Sequence, residues 1–111
     1  MVVCIPAMPD GTIGPSWGRA ARVTLVRVED GVITAVDEHE VGWDVLHDAG
    51  TEGGHHARIA RFLTDHAVDV VVADHMGPPM VRMLGEMGIR TWLGAGGDLR
   101  AAAIAVSTRP S

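Results

Sequence analysis

The stretch VDVVVADHMGPP, from Val68 to Pro79, decides the fold of this 111-residue chain. Its first half is short, apolar and rich in β-branched residues, which is typical of a strand buried on both faces of a mostly parallel sheet. The strand pattern ends at Asp74, His75 and Gly77. Because ligands of open α/β sheets bind outside the carboxyl ends of the strands, we expect this turn to lie at a functional edge.

Three further β patterns occupy the first part of the chain. Residues 2–5 are apolar and predict a central strand, and residues 22–29 alternate between polar and apolar side chains. A third pattern begins at Val32 and reaches the surface as an exposed edge strand by residue 40. The pair Asp30-Gly31 between the last two predicts a hairpin, because both central positions of a type I′ turn need a positive φ.

Helical patterns alternate with strands in the second part. Residues 55–66 carry an apolar stripe at helical spacing, and a second helix is expected from Pro78 until Gly88 ends it. Residues 89–93 predict the last strand. Asp98 is a favourable N-cap for a final helix that continues to residue 106.

This order of elements predicts an α/β fold. Right-handed crossovers give a five-stranded mixed sheet with strand order 3-2-1-4-5, strand 2 antiparallel to the others, and helices on both faces. The loops after strands 1, 3, 4 and 5 then emerge at one edge of the sheet; they are residues 7–20, 41–54, 74–78 and 94–97, and the first two are expected to be irregular. Residues 1–107 are predicted to form a single domain and residues 108–111 a frayed end.

Charge and composition exclude several functional classes. Fourteen acidic and nine basic side chains leave a net charge of −5, which disfavours binding to nucleic acid. No apolar run approaches the roughly 20 residues that cross a bilayer, so no membrane partner is expected. A single cysteine, Cys4, excludes an internal disulfide and predicts a cytoplasmic protein.

Histidines at the predicted loop edge suggest a metal site. His55, His56 and His75 are the candidate ligands, since imidazole binds zinc, copper, iron and related species. Adjacent helical residues diverge by about 100°, so His55 and His56 are expected to share one metal only if the turn is irregular. Histidines that only pack against the protein or face solvent are the alternative.

A small anion is the other ligand that the loop edge suggests. Helix starts rich in glycine, at residues 53–54 and 96–97, offer backbone N–H groups. Arg19 is a candidate charge partner, and Gly54 and Gly77 are candidates for close backbone contact with the ligand. Arg19 bonded only to loop carbonyls is the structural alternative.

Catalysis is not expected. Only four aspartates lie at the predicted edge, and neither a Ser-His-Asp nor a Cys-His arrangement is evident from the order of residues. Cys4 lies inside an apolar strand, and Met80, Met83 and Met87 have helical spacing, so all four are interpreted as core residues.

Several motifs together resemble the dinitrogenase iron-molybdenum cofactor biosynthesis family. They are the strand end Ile5-Pro6, the segment GPSWGRA at residues 14–20, the helix led by Gly53 and the motif DVVVADHMGP at residues 69–78. The resemblance implies a ribonuclease H-like three-layer α/β/α fold. In the nitrogenase-linked members it also implies a carrier of the iron-molybdenum cofactor or its precursor cluster. Similar sequences often carry histidine before the aromatic-Gly-Arg element, where this chain has Ser16.

The function predicted from these observations is binding without catalysis. The chain is expected to be a binding or carrier domain for a transition metal, for a metal cluster of the iron-molybdenum or iron-sulfur type, or for a precursor of such a cluster. The alternative is a regulatory domain that binds a small anion and no metal. A cofactor-assembly or acceptor protein is the expected partner, and the exposed hairpin edge makes a homodimer an open alternative.

Overall fold

The computed structural model describes residues 1–109, in which five strands and four helices alternate much as the sequence predicts. In chain order the elements are β1 Val2–Pro6, β2 Arg22–Glu29, β3 Val32–Glu40, α1 Trp43–Leu46, α2 Glu52–Asp65, β4 Val70–Val72, α3 Pro78–Glu86, β5 Arg90–Trp92 and α4 Leu99–Ser107. No helix in this part of the chain is long and apolar enough to cross a membrane.

The strands form one mixed sheet with the order β3-β2-β1-β4-β5. β2 pairs antiparallel with both β1 and β3, whereas β4 pairs parallel with β1 and β5. β2 is therefore the one strand of this sheet that runs against the rest, and the predicted order 3-2-1-4-5 is confirmed.

Side chains on the two faces of the sheet form two hydrophobic clusters, which give the fold three layers. Successive strand residues point to opposite faces. Cys4 therefore packs with Ile59 of α2 and Leu84 of α3, whereas Val3 packs on the other face with Ala103 of α4. All three residues of β4 are at most 1% exposed, as expected for a strand covered on both faces.

The hairpin between β2 and β3 has the predicted turn. Asp30 has φ 52° and Gly31 has φ 77°, so both central positions lie in the left-handed region that a type I′ turn requires. β3 then continues as an edge strand to Glu40.

The segment before α2 is more ordered than the sequence suggests. Residues 41–54 were expected to be irregular, but they contain α1, whose buried residue is Trp43. α2 also begins at Glu52, three residues before the predicted start. The Thr51 side chain caps it by accepting a hydrogen bond from the Gly54 N–H at 3.0 Å. This cap offsets the low helix propensity of the two glycines that made the segment look like a loop.

The chain end is described as far as Arg109. Thr108 is the C-cap of α4, and the Arg109 guanidinium lies 4.4 Å from the centroid of the Trp92 ring. The last two of the four residues predicted to fray, 110 and 111, lie outside the described residues.

The cap of α4 gives a first testable expectation. The Asp98 carboxylate accepts a hydrogen bond from the Ala101 N–H at 2.9 Å. Asp98→Ala should therefore lower the free energy of unfolding by about 1 kcal/mol in urea denaturation. Asp98→Asn, which keeps an acceptor oxygen, is the matched control and should retain most of the stability. Equal loss in both variants would mean that the negative charge, and not the cap, stabilises the helix.

Candidate functional site

The loops that follow β1, β3, β4 and β5 lie at one edge of the sheet, which we call the crest. It consists of residues 7–20, 41–51, 73–77 and 93–98. Backbone contacts join its first loop to its last: Ile13 N–H donates to the Gly97 carbonyl at 2.9 Å, and Leu99 N–H donates to the Gly11 carbonyl at 3.1 Å. The shared edge predicted from the topology is therefore present.

A cavity of about 190 Å³ at the crest, which we call the histidine hollow, lies between α2 and the turn that follows β4. Five of the six predicted site residues line it: Arg19, His55, His56, His75 and Gly77. Gly54 is not part of its wall. A Cβ atom on Gly54 would lie 3.1 Å from the Thr51 hydroxyl oxygen, so the space around this glycine is limited by the helix cap.

His55 is fixed inside the wall of the histidine hollow. Its side chain is buried, its Nε2 lies 2.8 Å from the Gly18 carbonyl, and its Nδ1 lies 2.8 Å from Nη1 of Arg58. A carbonyl accepts and a guanidinium donates, so the partners assign a neutral ring with the proton on Nε2. His55 thus joins α2 to the loop at residues 14–20, and binding a metal through either nitrogen would break one of these bonds.

The other histidines of the hollow are less constrained. His75 is exposed, and its ring makes no hydrogen bond within residues 1–109. The His56 ring is 24% exposed and lies 3.8 Å from the Glu52 carboxylate, which is too long for a hydrogen bond. His47 Nδ1 lies 3.2 Å from the Asp48 carboxylate. His56 and His75 are therefore the histidines of the hollow whose rings make no hydrogen bond within residues 1–109.

The described residues do not form a closed metal site. Among residues 1–109, no group of three or more histidine, cysteine, aspartate or glutamate side chains is arranged to hold a metal ion. Cys4 is completely buried in the core, and this burial raises the pKa of its thiol far above the ordinary value. Met80 is buried, and Met83 and Met87 pack against the core, which confirms the structural interpretation of these side chains.

The helix starts at the crest offer few free N–H groups to an anion. α3 begins with Pro78 and Pro79, which have no N–H, and its next two amides both donate to the Gly77 carbonyl at 3.1 Å. α4 is capped by the Asp98 carboxylate, and α2 by Thr51. Arginine side chains are therefore better placed than helix ends to bind an anion here.

A second and larger cavity adjoins the histidine hollow and shares Ser16 and Arg19 with it. This apolar hollow has a volume of about 640 Å³, within the range of small-molecule sites. Its walls are mainly proline, alanine, methionine and valine side chains, with Arg22 and Glu40 paired at 3.1 Å. The sequence predicts that the loop at residues 7–20 lies at a functional edge, but no sequence feature indicates a cavity of this size beside it.

Arg19, which lines both hollows, is held only loosely. Its guanidinium lies 3.6 Å from the Asp48 carboxylate, and the two side chains are 55% and 70% exposed. The His47 hydrogen bond and the Arg19 charge together lower the pKa of Asp48 below its ordinary value. An exposed ion pair of this kind contributes little to stability, so Arg19 is free to contact a ligand instead.

Two residues were not identified as site residues from the sequence, namely Trp17, which lines the histidine hollow, and Arg58, which lies behind its wall in contact with His55. Arg58, three positions after His55, is the donor that fixes the His55 tautomer, and the i,i+3 spacing was a usable signal. Trp17 is fully buried, and its indole N–H has no hydrogen-bond partner within residues 1–109. Buried polar groups are normally bonded, so an unpaired donor in the wall of a hollow is unusual.

Comparison with known proteins adds a family and a fold. A family model described as dinitrogenase iron-molybdenum cofactor matches residues 1–109. No curated protein matches the chain. Among solved structures, PH0822 is similar with a TM-score of 0.75 and 22% identity, covering 96% of this chain and 90% of that one.

Two other solved structures are similar over comparable lengths. The apo form of the orange protein from Desulfovibrio gigas has a TM-score of 0.73 and 20% identity, covering 96% of this chain and 86% of that one. TM1290 from Thermotoga, of the DUF35 family, has a TM-score of 0.63 and 23% identity, with coverages of 96% and 86%. At these identities the comparisons establish a shared fold.

Proposed function

This chain belongs to the dinitrogenase iron-molybdenum cofactor family, and from that premise we propose that it is a non-catalytic binding or carrier domain for a metal cluster or its precursor. The cargo is an iron-sulfur or iron-molybdenum type cluster, or a single transition metal. The crest is the binding surface, with His56 and His75 as metal ligands and Arg19 as the charge partner.

The main support is the content of the histidine hollow. It brings two imidazole rings that make no hydrogen bond within residues 1–109 and an arginine to one cavity. Imidazole binds iron and copper species, and the arginine guanidinium supplies a positive charge beside them. Gly77 lines the same cavity. A Cβ atom added to Gly77 would lie 3.8 Å from Cδ of Pro79, an ordinary van der Waals distance, so the surrounding protein leaves space at this position.

The openness of the site suits a carrier better than a permanent metal centre. Structural zinc sites, for example, are closed by four protein ligands. Two exposed or half-exposed histidines leave most of the coordination sphere to the cargo itself, so release requires few bonds to break. His55 serves here as the anchor of the loop at residues 14–20 and not as a ligand, because both of its nitrogens are engaged.

The apolar hollow extends the site for a cargo larger than one ion. Its volume of about 640 Å³ adjoins the histidine hollow through Ser16 and Arg19. Clusters with bridging sulfide carry negative charge, which Arg19 can offset once it leaves Asp48. Ser16 contributes a hydroxyl where similar sequences often carry histidine. Metal ligation in this chain is therefore assigned to His56 and His75, which line the same histidine hollow.

The expected partner is a cofactor-assembly protein that delivers the cargo or an acceptor that receives it. A cytoplasmic location belongs to the same proposal, because the single cysteine is a buried core residue with no role in a disulfide. The alternative, a domain that binds only a small anion, has less support because the helix starts at the crest are already capped.

The proposal is tested by metal uptake under anaerobic conditions. Purified protein is titrated with Fe²⁺, Cu⁺ and Zn²⁺, with a cluster reconstituted from ferrous iron and sulfide, and with phosphate as the anion probe. A double variant, His56→Ala with His75→Ala, should bind the metal species at least about tenfold more weakly, since loss of even an outer-shell partner of a metal ligand costs about 10–100-fold. Binding is followed by absorption spectra and metal analysis of the desalted protein.

A second histidine pair provides the matched control. His39 and His66 lie 4.8 Å apart between ring centroids, line neither hollow, and pack against Phe62. The double variant His39→Ala with His66→Ala should bind the metals as well as the native protein does. Equal loss in both double variants, or none in the crest pair, would overturn the site. Stabilisation by phosphate alone would favour the anion-binding alternative.

A further inference from the structure

The outer strand β5 has one edge that is unpaired within residues 1–109. Arg90 N–H donates to the Asp69 carbonyl at 3.2 Å, and the Trp92 carbonyl accepts from the Ala73 N–H at 3.0 Å. Both residues thus direct their backbone groups towards β4. Since this direction alternates along a strand, the N–H and C=O of Thr91 face away from the sheet. We call Arg90 to Leu93 the β5 edge.

A groove with a volume of about 340 Å³ runs beside the β5 edge towards the end of α4. Its charged lining residues are Arg90 and Arg109, and no carboxylate residue lines it. Trp92 and Leu93 supply apolar surface, and Leu93 is 40% exposed. The groove thus combines free backbone groups, positive charge and apolar contact area.

The two arginines are not neutralised within the described part of the chain. Neither forms an ion pair with a described carboxylate. The Arg90 guanidinium donates one long hydrogen bond, of 3.4 Å, to the Val106 carbonyl. The Arg109 guanidinium lies over the Trp92 ring, 4.4 Å from the ring centroid. In a chain with net charge −5, two unpaired arginines in one groove form a distinct basic patch.

The opposite edge of the sheet differs in charge. β3 ends with Asp37, Glu38 and Glu40, all exposed. Charged side chains on an edge strand commonly prevent edge-to-edge association. The β5 edge carries positive charge and apolar surface together, a combination that fits a strand bearing carboxylates.

We propose that the β5 edge binds an extended acidic segment of a partner protein, which adds to the sheet as a sixth strand. Backbone hydrogen bonds to Thr91 fix the segment, as in other cases of strand addition. Alternate side chains of the incoming strand lie on the face of Arg90 and Trp92, so an acidic residue there pairs with Arg90. This docking surface does not depend on which cargo the crest carries.

The experiment measures binding of an array of labelled acidic peptides of eight residues by fluorescence anisotropy. Each peptide alternates glutamate or aspartate with β-branched residues, and its matched control replaces the acidic residues with lysine. We expect binding of acidic members only, weakened by added salt and at least about tenfold weaker in Arg90→Glu and in Arg109→Glu.

Two further variants separate strand addition from simple charge attraction. Thr91→Pro removes the outward N–H but not the bonds to β4, because proline is tolerated on an edge strand, and it should abolish binding. Arg27→Glu makes the same charge change at an exposed residue of the largely buried strand β2 and should leave binding unchanged. Circular dichroism and thermal melting confirm that each variant is folded.

Three results would overturn the inference. They are no binding by any acidic peptide, equal binding of acidic and lysine peptides, and native affinity in Thr91→Pro. Concentration-dependent association of the protein with itself, abolished by Arg90→Glu in sedimentation velocity, would instead assign the β5 edge to a second copy of the chain.

Discussion

Replacing Trp17 by alanine is expected to lower the free energy of unfolding by about 4 kcal/mol, in the range measured for loss of large buried aromatic side chains. Trp17 is completely buried and meets Trp43 edge to face, with ring centroids 5.1 Å apart. Removal of the indole leaves a cavity between the crest loop and the core, and the loop cannot fill it without breaking the His55 bond to Gly18. Urea denaturation followed by circular dichroism measures the loss.

Trp17→Phe is the matched control, because it keeps most of the ring and removes the unpaired N–H. An unsatisfied buried donor costs about 1–3 kcal/mol, so its removal offsets part of the lost packing. We expect the free energy of unfolding to fall by less than about 1.5 kcal/mol. A phenylalanine variant as unstable as the alanine variant would contradict the assignment of an unsatisfied indole N–H at this position.

Replacing His55 by alanine is expected to lower the free energy of unfolding by about 3 kcal/mol, because two hydrogen bonds are lost and the Gly18 carbonyl loses its donor. The change also removes ring packing against His47, where the centroids are 5.1 Å apart. Arg58 is left without its acceptor in a half-buried position. The same denaturation assay measures the effect, and faster amide hydrogen exchange at residues 17–20 reports release of the loop.

Two variants test the assigned role of His55. His55→Gln offers one donor and one acceptor, so it should recover part of the stability. His56→Ala changes the adjacent histidine, which has no comparable bonds, and should alter the free energy of unfolding by less than about 0.5 kcal/mol. If His55→Ala is as stable as His56→Ala, the hydrogen bonds to Gly18 and Arg58 do not anchor the loop.

The fold was predictable because its signals are local and agree with one another. The apolar run before Asp74, the Asp30-Gly31 turn and the Asp98 cap each act within a few residues, and the handedness of crossovers then determines the strand order. The exception is α1, a single short turn after Gly42. Four residues give too little periodicity to be distinguished from a loop.

The location of the candidate site was predictable, whereas the roles of its residues were not. Topology alone brings residues 55, 56 and 75 to the edge that carries Arg19. Whether a histidine is available depends on contacts that the sequence does not reveal, such as the bond from His55 to Gly18, which is 37 positions away in the chain. The two hollows likewise depend on how the loop at residues 7–20 folds over the sheet.

The backbone hydrogen bonds that join Gly11 and Ile13 to the start of α4 connect two segments that are far apart in the sequence. Contacts between segments so distant in sequence form late, because a long stretch of chain must first be brought together. During synthesis the β2–β3 hairpin emerges early, but the crest is completed only when residues 97–99 have left the ribosome. The junction between the first and last loops of the crest is therefore the last part of the crest to form, after the residues that line both hollows have been synthesised.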